Sequence, residues 1–161
     1  MSLPTLASAL DTVMDTLLQV LVAEQTKDPK VPTDTDVLND VKLIARGDRL
    51  DPRPTTPAIW LFCKAAHPVD GLGNLHETWE LPVMLACMVE NENDDAGYQA
   101  ATDLAARARG VILNAKDTVR AAAPYVSSIK SGSFEPSAPW HKYGQLFRAY
   151  AEIRVLFTVR G

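Results

Sequence analysis

The chain has 161 residues, 47% of them apolar and 22% charged, with a formal net charge of -4. This is enough for a single domain, 1–161, with a real core, and too apolar for a disordered chain. The mild acidity gives no overall reason to expect nucleic acid as a partner, although basic residues gather in the last segment and at Arg46, Arg49 and Arg53.

Residues 3–23 carry Leu3, Leu6, Ala7, Leu10, Val13, Met14, Leu17, Val20 and Leu21 at spacings of three and four, the stripe of an amphipathic helix. Ser2 reads as its N-cap, with Pro4 in the first turn and Asp11, Asp15 and Gln19 on the wet face. The two acids, and the lack of a basic start, argue against a signal peptide, and no stretch is expected to reach transmembrane length. The helix should end near Glu24, before a polar linker at 26–36 that contains Pro29 and Pro32.

Val41, Leu43 and Ala45 alternate with Lys42, Ile44 and Arg46, which favours a strand at 40–46 over a short helix. A proline-rich loop at 47–57 follows, of the kind that often makes contacts. Residues 58–64 read as a buried strand, and 67–74, with Pro68, Gly71 and Gly73, as a turn or loop.

Residues 77–89 alternate, with Trp79, Leu81, Val83, Leu85, Cys87 and Val89 on one face. The other face is half apolar, with Pro82, Met84, Ala86 and Met88, and is expected to be covered by another element or another subunit. Pro82 cannot donate to a ladder and hints at an edge or a bulge. Asn93 or Asp94 should cap a helix over 95–115, whose alanines allow close approach to a sheet. A strand interrupted by Gly132 is expected at 126–134, then a loop at 135–144.

The final strand, 147–159, is the clearest element. Phe147, Ala149, Ala151, Ile153, Val155, Phe157 and Val159 point one way, and Arg148, Tyr150, Glu152, Arg154, Leu156 and Thr158 the other, with Arg160 following in step. The element order predicts an α+β fold: a mostly antiparallel sheet of four to five strands, joined by adjacent hairpins, with two helices packed on one face.

Candidates for chemistry have bland readings. Cys63 and Cys87 read as reduced, buried hydrophobes, with a disulfide across neighbouring strands as the alternative. His67, His76 and His141 read as surface loop residues, since Cys63-x3-His67 lacks the second paired motif of a zinc site. No G-x-S-x-G elbow occurs, and the acids from Glu90 to Asp95 sit where a helix N-terminus favours them. Gly71 and Gly73 suit a turn and lack the lysine of a phosphate cradle. Trp60 and Trp79 read as core, whereas Trp140, between Pro139 and His141, is an interface candidate. Arg148, Arg154 and Arg160 form either a solvated strand face or a stripe for inter-subunit pairing or pore lining. No catalytic, cofactor or metal residue is expected; the candidate contacts are Pro82, Met84, Met88, Trp140, Arg148, Arg154 and Arg160.

Four stretches together resemble the tail terminator family of long-tailed bacteriophages, also called minor tail or head-tail joining proteins. They are the opening helix at 3–23, the run Pro57-Ala58-Ile59-Trp60-Leu61-Phe62, and the long strand at 79–89 with its following Asp94-Asp95-Ala96-Gly97-Tyr98 helix. The fourth is the terminal strand ending Val159-Arg160-Gly161. The resemblance implies a small α+β subunit in a hexameric ring that caps the tail tube, stops its polymerisation and offers a surface to the head connector. It implies no enzymatic activity and no cofactor. The partners would be further copies, tail tube protein and neck proteins, with DNA passing through the lumen and no membrane. The location would be the tail-neck region of a virion assembled in the host cytoplasm. Another neck or tail-completion protein, or a small-ligand-binding or enzymatic α+β domain, is the competing expectation.

Overall fold

The computed structural model describes residues 2–26, 38–47 and 55–161. Most of the linker at 26–36 and of the loop at 47–57, with Arg49 and Arg53, lies outside them. The elements are α1 (Leu6–Gln25), β1 (Leu43–Arg46), β2 (Ala58–Cys63), β3 (His67–Asp70), β4 (His76–Glu90), α2 (Asp94–Asn114), α3 (Lys116–Ala122), β5 (Val126–Glu135) and β6 (Leu146–Arg160), with a 3-10 turn at Pro139–His141.

The fold is α+β, as expected. The sheet runs β1-β2-β4-β6-β5, with β3 also paired to β4. Its spine is the antiparallel pair β4 and β6, in continuous register from His76 opposite Arg160 to Glu90 opposite Leu146. Each strand has 15 residues, or ~50 Å at the usual rise. Every other pair is antiparallel except β1 with β2, which is parallel. The expected hairpin between those two therefore does not occur.

One face of the sheet carries the core. All seven predicted inward residues of β6, from Phe147 to Val159, are fully buried. They pack with Leu81, Val83, Leu85 and Cys87 of β4 and with the stripes of α1 and α2. Burial pushes the Cys87 thiol pKa up, which suits a small core hydrophobe.

Helix α1 begins later than predicted. The residue before a proline is pushed out of helical geometry, so Ser2 and Leu3 stay outside and Thr5 is the N-cap, its Oγ1 accepting from the Ser8 amide at 3.3 Å. The helix is long and apolar enough to cross a membrane by length and composition, correcting the expectation that no stretch approaches that size. Its stripe of Ala9, Val13, Met14, Leu17, Val20 and Leu21 is buried in the core. On its outer side Asp11 and Asp15 both take the Arg46 guanidinium, at 2.9 and 3.3 Å, which ties β1 to the helix.

Helix α2 is capped by Asn93, whose Oδ1 accepts from the Ala96 amide at 3.0 Å. The small residues of this helix allow close packing. A side chain at Gly97 would collide with the Phe147 ring, and Tyr98 meets that ring edge-on at 4.9 Å. Arg107 grips both Asp40 oxygens, at 2.8 and 3.1 Å, and holds the turn containing buried Leu38 against α2. Those hydrogen bonds lower the Asp40 pKa below its ordinary value.

Two elements were not foreseen. α3 follows α2 almost directly and buries only Val119, so it shows no stripe. β3 is exposed throughout and lies where only a turn was expected. It continues the line of β2 along the same side of β4. The break between them falls at Pro82, whose carbonyl accepts from the Lys64 amide at 2.8 Å. A strand residue points its N–H and C=O to the same side, so the donor that proline lacks coincides with that break.

Candidate functional site

The face of the sheet away from the helices collects most of the predicted contact residues. The register sets them in rows. Ala58, Met88 and Arg148 form one row, then Trp60, Ala86 and Tyr150, then Phe62, Met84 and Glu152. Pro82, Arg154 and Lys130 form the next, and His76 faces Arg160 where β4 begins.

The two methionines are not bare. Met84 is 4% exposed and Met88 fully buried within the protomer, and Pro82 is half-buried. Of the two covers expected for this face, another element or another subunit, the protomer's own neighbouring elements supply the one over Met84 and Met88. β4 is central, so larger neighbours on both sides close over its small and flexible residues. Met88 packs with Ala58 and Leu146, and with Leu43 and Trp60. Trp79 is half-buried and packs against the main core, as expected, and Trp60 is half-buried against the smaller outer-face cluster of Ala58, Met88 and Leu146 rather than in the main core.

The three arginines occupy different situations. Arg154 is exposed and bonds Glu152 Oε1 at 2.8 Å. Lys64 reaches the other Glu152 oxygen at 3.3 Å, and the Ser133 amide donates to Oε1 at 3.5 Å. Glu152 is the one buried charged residue among the described residues. Burial pushes its pKa up, but the bonds from Arg154, Lys64 and Ser133 outweigh this and leave it below the ordinary value. Arg160 is exposed at the strand end. Arg148 is half-buried, and its Nε has no hydrogen-bond partner among the described residues. No carboxylate among the described residues pairs with it.

Among the described residues, the exposed large apolar side chains are Val69, Leu72, Leu75, Trp140 and Tyr143. Their positions were only partly anticipated: Trp140, 80% exposed, was an interface candidate, and the others were not. They form two groups. Val69, Leu72 and Leu75 belong to the hairpin that joins β3 to β4, where Gly71 and Gly73 take positive φ values of 74° and 83°. Gly71 also lies too close to the His76 carbonyl to carry a side chain. The hairpin adjoins the end of β6 through a 2.8 Å bond from the Gly161 amide to the Leu75 carbonyl.

Trp140 and Tyr143 sit in the β5–β6 connection, at the other end of the β4–β6 pair, where the Asn91 amide bonds the Gln145 carbonyl at 3.0 Å. His141, expected on the surface, is instead largely buried. It packs edge-on against Tyr150 at 5.3 Å, with its Nε2 3.5 Å from Glu135. Lys142 bonds Asp94 at 2.6 Å, which raises the lysine pKa.

Cys63 is exposed and free, because β2 ends there beyond the cover of the helices. Among the described residues no three His, Cys, Asp or Glu side chains are grouped as a metal site would require. Open surface depressions among the described residues lie at Glu90, Asn91, Glu92 and Gln145, and along α2 between Tyr98 and Phe134. No protein-family model matches the chain, and no curated protein matches it.

Proposed function

We propose that this chain is a structural virion subunit that caps the phage tail tube as a ring, ends tube polymerisation and forms the head-tail joining surface. The observation that carries the reading is the position of the exposed apolar side chains. One group projects at each end of the β4–β6 spine, and the two groups differ in residue type. Unlike patches at opposite ends favour head-to-tail association, which closes into a ring when the rotation permits. A homohexamer is the expected form, with tail tube and neck proteins as partners and DNA passing through the lumen.

The test adds purified chain to polymerising tail-tube subunits and measures tube length by negative-stain electron microscopy. A terminator shortens the tubes and leaves a ring at one end. A chain that binds the tube end without changing length is a different neck or tail-completion protein. Tubes of unchanged length with bare ends contradict both.

A further inference from the structure

We propose that the β3–β4 hairpin tip of one copy seats on the Trp140–Tyr143 surface of the next, where Asp70 of the hairpin pairs with Arg148. The contact rests on the ring reading and names its joint.

The two ends complement each other. The hairpin offers three aliphatic side chains, Val69, Leu72 and Leu75, that are 54%, 67% and 85% exposed. The other end offers two aromatic ones, Trp140 and Tyr143, that are 80% and 71% exposed. Aliphatic tips on aromatic surfaces bury apolar area without requiring either side to fold anew.

One charge pair follows the same division, while exposed Arg160 at the hairpin end and exposed Glu90 and Glu92 at the other end do not. Asp70 is exposed, with Oδ1 taken by the Gly71 amide at 2.8 Å and its other oxygen unpartnered among the described residues. Glu77, the other hairpin acid, is engaged at both oxygens by the Gly73 amide and Trp79 Nε1. At the far end Arg148 lies between Leu146 and Tyr150 on the outer face of β6, and the 3-10 turn bearing Trp140 packs on Tyr150 through His141. Arg148 is thus a half-buried cation beside the aromatic surface, without a carboxylate partner among the described residues. A two-fold contact of like ends would set Asp70 against Asp70 or Arg148 against Arg148, which is repulsive. The complementary arrangement is heterologous.

The test is disulfide trapping in a Cys63→Ser background, with buried Cys87 left in place. Leu72→Cys and Tyr143→Cys are made singly and together, in exposed loops where circular dichroism should be unchanged. Under mild oxidation the double variant should give a ladder of covalent multimers, and a mixture of the two single variants should give dimers. Asp70→Lys or Arg148→Glu should each lower the yield several-fold, and the two together should restore it.

Cross-links in the Leu72→Cys variant alone would show tip-to-tip pairing and overturn the proposal. Multimers in light scattering without the Leu72–Tyr143 cross-link would overturn this joint and leave the ring reading standing. A chain that stays monomeric and uncross-linked at the highest attainable concentration would overturn both. Cross-linking that the double charge swap fails to restore would overturn the Asp70–Arg148 pairing.

Discussion

The Glu152 carboxylate occupies the space that a side chain at Gly132 would fill. The glycine that interrupts β5 is therefore not a loose point in the strand. It lies in the bulged stretch between Ser131 and Phe134 and lets β5 close over a charged group on β6. Gly132→Ala should push the carboxylate from its seat and cost ~1–3 kcal/mol, read as a lower urea midpoint with an unchanged slope.

Glu152 also sets a pH dependence. Its pKa is lowered in the folded protein, so its stabilising contribution is complete above the unfolded value of ~4.3 and is lost as pH falls through the lower folded value. Urea midpoints of the wild type should fall more steeply than those of Glu152→Gln on acidification from pH ~5 to ~3. Parallel curves would contradict this role for the carboxylate.

Gly97 faces the Phe147 ring too closely for any side chain. Gly97→Ala should raise helix propensity by ~1 kcal/mol, yet Phe147 is fully buried and cannot withdraw. The collision should prevail, with a net loss of ~1–3 kcal/mol in chemical denaturation and a weakened Tyr98–Phe147 contact in aromatic NMR shifts.

The strongest periodicities in the chain were the most legible. The inward face of β6, the odd-numbered face of β4 and the stripes of α1 and α2 are the core, because burial on one side demands a strict repeat. Elements with little burial escaped: α3 hides only Val119, and β3 hides nothing. Alternation also cannot tell a central strand from an edge one. That is why the cover over Met84 and Met88 could be read as another element or another subunit, although the protomer's own neighbours supply it, and why Cys63 looked buried although its strand ends there. Trp140 stood out as an aromatic residue beside prolines, but Leu72 and Leu75 in a glycine turn gave no comparable signal. The partner of Arg46 was hidden because Asp11 and Asp15 lie 35 and 31 positions away.

Leu72→Glu with Leu75→Glu should leave the fold intact, since exposed substitutions away from packed features change stability by about 0.5 kcal/mol or less. Thermal unfolding of an isolated protomer should be nearly unchanged, while self-association is lost. A fall in protomer stability would instead mark these leucines as internal supports.

The central claim is that unlike ends of the β4–β6 spine join one copy to the next. Its most direct measurement is the mass of the purified chain by light scattering across a concentration series, with and without Leu72→Glu and Leu75→Glu. A closed multimer of one defined size that the double variant reduces to protomers is the predicted result. A wild-type protomer at every concentration, or a two-fold dimer indifferent to those substitutions, would contradict it.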